Sequence, residues 1–233
     1  MCHHEGTITH ARGRRLIQLG TSDALTLTCA HCAMVATLDW EPAVEDPSQA
    51  ETWRIRFRKL PRDYPYTYAA TLFGKAGWLH ADQALDMSAQ VYIHRERLQQ
   101  AQAGLLDWLK PRLLSPPPPL MSAEERVYLA LKPVQYGKRG SGSPFQAGRE
   151  GTVLDTGTFY LTDSKIHLLG QQRDRSHRLS EIAQASFDER GWTLVLEGNS
   201  TSANYYYGAT TLGDLFDGEL IVAIILALRD GAS

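Results

Sequence analysis

The residues best equipped for chemistry lie within the first 32 positions: Cys2, His3 and His4 in MCHHEG, and Cys29 and Cys32 in TCAHC. A CxxC spacing lets two thiolates converge on one point from a single tight turn, which is half of a tetrahedral zinc site. The chain has three cysteines, so Cys2 is the remaining sulfur donor. His4 supplies the fourth ligand, with His3 as its alternative and His10 and His31 in reserve. The expected centre is Cys2, His4, Cys29 and Cys32 around a structural zinc ion, with folding coupled to metal. Two other uses compete for the same residues. Cys29 and Cys32 would serve equally as small buried hydrophobes. Cys2, freed by removal of Met1, would be an N-terminal nucleophile with its own α-amino group as base, the chemistry of amide hydrolysis.

Further catalytic signals are sparse. The sequence has no GxSxG elbow, no HExxH helix and no GxxxxGK[ST] phosphate loop. In GKRGSGS (137–143) the lysine precedes the glycines instead of closing the loop, so the segment reads as a hairpin connection. His80 and His94 have no Ser or Cys partner in the sequence, and no carboxylate pair stands out by spacing. A non-enzymatic binding protein is the expectation.

Composition bounds the partners. The chain has 233 residues, 43% of them hydrophobic, and a formal net charge of -2, which suits globular folding and not disorder. Basic and acidic residues number 13 and 12 up to Ser115, and 11 and 14 after it, so neither half has the basic excess of a nucleic-acid binder. The longest apolar run, LIVAIILAL (220–228), is far shorter than the roughly 20 residues that span a bilayer. With an odd cysteine count and no secretory signal, a cytoplasmic location is expected.

The elements that must position these residues divide at SPPPPL (115–120). Four prolines join neither a helix nor a central strand, so this stretch is expected to be an extended linker between residues 1–114 and 121–233. Upstream, ALTLTC and AMVATLDW alternate as two strands of a β-hairpin whose tip carries the CxxC. ETWRIRFRK is a third strand, with Trp53, Ile55 and Phe57 on one face and Arg54, Arg56 and Arg58 on the other. The arginines recur at about 7 Å, close to the spacing of successive phosphates, and Tyr64, Tyr66 and Tyr68 would add stacking. A solvated strand face explains the same alternation. A helix is predicted from about Asp82, with Leu98, Ala101, Leu105 and Trp108 on one stripe, ended by Pro111. Downstream, ERVYLAL, GTFYLT, KIHLLG and WTLVLE are strands separated by turns, and LFDGELIVAIILALRDG is a closing helix. Tyr205, Tyr206 and Tyr207 would alternate faces of a strand and expose at least one ring. The fold class is therefore α+β, with a small barrel or sandwich closed by the last helix.

The segment GTFYLTDSKIHLLG (157–170), the following SHRLSEIAQ and the closing helix resemble the bacterial pleckstrin-homology-like and GRAM-type domains over about residues 120–231. The hairpin bearing Cys29 and Cys32 is similar to a zinc ribbon, although Ala33 stands where ribbon knuckles commonly have glycine. The first two residues also look like class II glutamine amidotransferases, but nothing after Cys2 matches them. The pleckstrin-homology resemblance implies a scaffold that binds a protein or peptide, with lipid headgroups next. It would place Lys138 and Arg139 where phosphoinositide-binding members carry basic residues. The joint expectation is an adaptor with a zinc-ribbon-like domain and a pleckstrin-homology-like domain. The alternatives are a nucleic-acid-binding ribbon using Arg54, Arg56 and Arg58, and an N-terminal cysteine amidohydrolase.

Overall fold

The computed structural model describes residues 8–12, 25–29, 35–41, 52–59, 78–140, 153–188, 191–198, 202–208 and 217–231. The architecture is mixed α+β, and the chain forms two compact units, Met1–Ile93 and His94–Ser233. Tyr64, Tyr66 and Tyr68 lie outside the described residues.

The first unit holds a five-stranded antiparallel sheet in simple sequence order: β1 (Ile8–Arg12), β2 (Leu25–Cys29), β3 (Val35–Glu41), β4 (Thr52–Lys59) and β5 (Leu79–His80). Alternation in sequence sets the register. Leu25, Leu38, Ile55 and Leu79 occupy successive paired positions across the sheet, so they share one face. Helix α1 (Ala81–Gln102) follows directly. Its positions 84, 91, 94, 98 and 101 are buried, the 3–4 spacing of a helix with one inward stripe.

α1 stops nine residues before Pro111, the residue expected to end it. Gly104, at φ 77°, lets its own amide reach the Ala101 carbonyl at 3.0 Å and lets the Leu105 amide reach that of Gln100 at 2.8 Å. This paired closure satisfies the last carbonyls and needs a left-handed residue, which glycine supplies. Leu105 consequently leaves the stripe and is 56% exposed.

The second unit contains a seven-stranded antiparallel sheet: β6 (Val127–Gly140), β7 (Val153–Thr162), β8 (Lys165–Gly170), β9 (Arg175–Arg178), β10 (Ile182–Phe187), β11 (Gly191–Leu196) and β12 (Ser202–Tyr207). The spatial order is β10-β11-β12-β6-β7-β8-β9. β6 is thus central, pairing with β7 on one side and with β12 on the other. It continues through Pro133, beyond the predicted ERVYLAL, because the ladder to β7 slips between Leu131 and Val134. A register slip is where a residue without an N–H is tolerated. β9 and β10 are the two borders, joined only by a short 3-10 turn (Leu179–Glu181), and the sheet does not close.

Trp192 and Tyr206 stack at 5.6 Å in the core, and Phe159 meets both edge-on at 5.1 and 5.4 Å. Of the three consecutive tyrosines none is exposed. Tyr206 is in this cluster, while Tyr205 is buried and stacks on half-buried Tyr207 at 5.1 Å. Helix α2 (Gly218–Gly231) packs on β10, β11 and the 3-10 turn, burying Leu220 to Ile225 and Leu228. The apolar run 220–228 is therefore mostly buried in the folded chain. The proline run also lies in this unit. Pro118 accepts a turn hydrogen bond from the Met121 amide at 3.2 Å, and Arg112 and Val127 bridge backbones at 3.0 and 2.8 Å. Among the described residues no helix is long and apolar enough to cross a membrane.

Candidate functional site

The open border of the second sheet is the candidate site. Because β9 pairs with β8 alone and β10 with β11 alone, each presents one edge without a ladder partner among the described strands. At the 3-10 turn between them lies a groove of about 630 Å³, also reached by the β7–β8 turn and the end of α2. Leu179 and Ile182 lie beneath it, buried in the core, and Lys165, Arg178, Arg229, Glu197 and Asp230 line it with charge. This size and mixture suit a few side chains of a ligand.

Two buried carboxylates stiffen the sheet, and one of them, Glu125, does so beside the groove through Lys165. Glu125, from the strap before β6, accepts hydrogen bonds from the Ser122 amide, Lys165 Nζ and Thr162 Oγ1, each at 3.1 Å, and from His167 Nε2 at 2.7 Å. Burial pushes its carboxyl up, but the Ser122 amide, His167 and Lys165 outweigh that and hold it at about 2. His167 is itself 1% exposed, and its Nδ1 has no partner among the described residues. Asp155 in β7 accepts from the amides of Thr156, Gln172 and Arg173 and, at 2.7 Å, from Arg175 Nη1. Burial again raises this group, and Arg175 and those three amides overcome it to leave it at about 2. A side chain at Gly170 would strike the Asp155 carboxylate, so only glycine fits beside this junction of β8 and the β8–β9 loop.

Arg175 also lies 4.3 Å over the Tyr136 ring, whose hydroxyl donates to Asn204 at 2.8 Å. Burial lowers the affinity of His177 for a proton. Glu181 opposes that, while Arg175 and Lys138 reinforce it.

The residues singled out in the sequence fall in three places. Cys2, His4 and Cys32 lie outside the described residues. Cys29 ends β2 opposite Ile8 of β1, so the chain enters β1 at the same end of the sheet where β2 leaves towards position 32. Among the described residues no group of three or more His, Cys, Asp or Glu side chains is arranged to hold a metal. Arg54, Arg56 and Arg58 are in β4, and Arg56 is exposed. Asp39 stands opposite Arg54, and the register slip beside Phe57 and Lys59 leaves Arg58 without a counterpart on β3. Lys138 and Arg139 are inside β6, opposite Asn204 and Ala203, and not in a loop. Lys138 is exposed.

Sequence reasoning passed over the groove, since its residues come from five separate stretches of chain between Ser164 and Asp230. The one signal was SHRLSEIAQ, where a strand breaks at Leu179 and resumes at Ile182. No family model, no curated protein and no solved structure matches the chain.

Proposed function

We propose that the protein is a non-enzymatic adaptor whose second unit is a pleckstrin-homology-like module that binds a peptide or protein segment at the open border between β9 and β10. The observation that carries this is the border itself: two strand edges without ladder partners among the described strands, beside a groove of about 630 Å³. An extended segment laid there would gain main-chain hydrogen bonds from an edge and side-chain contacts from the groove. The pleckstrin-homology likeness is supported by the sheet order, in which two runs of consecutive antiparallel strands meet through β6 and β12, and by the terminal helix packed on β10 and β11.

The first unit, in the same proposal, is a ribbon-like domain that carries a structural zinc ion on Cys2, His4, Cys29 and Cys32. Its support is the register: Ile8, where β1 begins, pairs with Cys29, the first cysteine of the CxxC. Zinc there would lock the two chain segments together and contribute folding free energy directly.

Hydrogen exchange of the full chain, with and without peptides retained from a random-sequence array, tests the binding site. Slowed exchange over 175–187 is the expected result. Protection confined to 136–140 would overturn this placement and move the peptide site to the Lys138 region. Elemental analysis of untagged protein, compared with a Cys29→Ser, Cys32→Ser variant, tests the metal. The expected result is zinc in the first and none in the second.

A further inference from the structure

The groove carries charges of both signs, and internal pairing leaves one of each available. Lys165 is held by Glu125 at 3.1 Å. Arg229 is held by Asp230 at 2.7 Å and by the Ile182 carbonyl at 3.1 Å. The remaining two charged side chains are Arg178, exposed at the end of β9, and Glu197, exposed just after β11. Neither has an ion-pair partner among the described residues. Leu179 and Ile182 lie beneath the same groove but are only 1% and 2% exposed, so its accessible lining is mostly the polar and charged side chains.

We propose that the groove selects an extended peptide segment bearing one carboxylate and one cationic side chain, the carboxylate against Arg178 and the cation against Glu197. This rests on the peptide-binding function proposed above and adds the chemistry of the partner. A guanidinium presents paired donors to a carboxylate, so Arg178 fixes orientation as well as charge. Opposite charges at two points of one groove fix the direction of the bound chain, because the reversed segment would meet like charge at both ends. Uniformly acidic and uniformly basic segments are rejected on the same ground.

The test uses the full chain, fluorescently labelled, on an array of random peptides of about eight residues, the scale of an extended recognition segment. Wild type is compared with Arg178→Glu, Glu197→Lys and the double exchange. Both positions are exposed, so the fold should persist, and melting curves check that it does. Arg178→Gln and Glu197→Gln serve as milder variants. Retained peptides should contain an acidic and a basic residue in a fixed order. Each single variant should lose about tenfold in retention, and the double exchange should select the opposite order. Peptides retained without regard to charge, or an unchanged order in the double exchange, would overturn the selectivity and leave the peptide-binding site standing. Retention of no peptide by any of the proteins would overturn both.

Discussion

Two buried histidines of the second unit, His94 and His167, are each about 1% exposed and each meet a carboxylate, yet their surroundings differ. His167 is one of four donors around the single carboxylate of Glu125. His94 Nε2 meets Asp217 Oδ1 at 3.0 Å, and the same oxygen caps α2 by accepting the Leu220 amide at 2.9 Å. Glu219 lies close enough for the Asp217 charge to act on it, so two carboxylates crowd one imidazole. Asp217 Oδ2 and Glu219 Oε2 are both buried and lack a partner among the described residues. Burial first, and then the Asp217 charge, raise the Glu219 carboxyl above its usual range, with His94 opposing. The ratio of donors to carboxylates therefore decides whether a buried acid is an anchor or a liability.

The sharpest way to break this comparison is Glu125→Ala. It strands buried His167 and half-freed Lys165, and unfolding in urea should show a loss of about 3 kcal/mol. A loss below about 1 kcal/mol would mean that the cluster contributes little more than an ordinary hydrogen bond. Acid should have an effect of similar size. The folded Glu125 carboxyl lies at about 2 against an ordinary 4.5, so its stabilisation is complete above pH 4.5 and disappears as pH falls towards 2. Asp155, at about 2 against 3.8, contributes in the same direction over the same range. Glu125→Gln should flatten the stability profile between pH 4.5 and 2, as measured by thermal melts across that interval. Asp217→Ala removes a helix cap and the partner of His94, for about 2 kcal/mol.

The smallest expected effect has the opposite sign. Because the folded Glu219 carboxyl is raised, this group favours the folded state fully below its ordinary pKa, and that advantage is lost as pH rises through the folded value. Glu219→Gln should melt slightly higher than wild type at pH 7, a gain partly offset by the loss of a negative charge in the first turn of α2. At pH 3 the variant and the wild type should melt alike. Equal stability at both pH values would remove the contrast with Glu125.

Much of the fold was legible because it is written locally. Alternation in LTLTC and TWRIRFRK defined β2 and β4, and the terminal apolar run defined α2. The end of α1 was misplaced because Pro111 is the louder breaker, whereas Ala103-Gly104 stops the helix through backbone hydrogen bonds. The exposed tyrosine was misjudged because face alternation says nothing of what covers the outer face. There Tyr205 is covered by Tyr207 and donates to Asp188 at 2.9 Å. Glu125 and His167, 42 positions apart, meet only through the sheet, and no local pattern links them. The groove was invisible for the same reason. The zinc ligands, by contrast, were chosen on local spacing, and three of the four fall outside the described residues.

The central place of β6 has a consequence for how the protein is made. Gln135 pairs with Tyr207, so the first strand of this sheet waits for the last before its second side is covered. Closing so long a loop is entropically slow, and it sets the order of events on the ribosome. The hairpins of β6 to β9 form early, while β6 keeps a bare edge until β12 emerges and α2 follows to cover β10 and β11. A nascent or truncated chain that ends before residue 202 therefore offers an open strand edge to its neighbours, and chaperone dependence should peak there and fall once α2 is released.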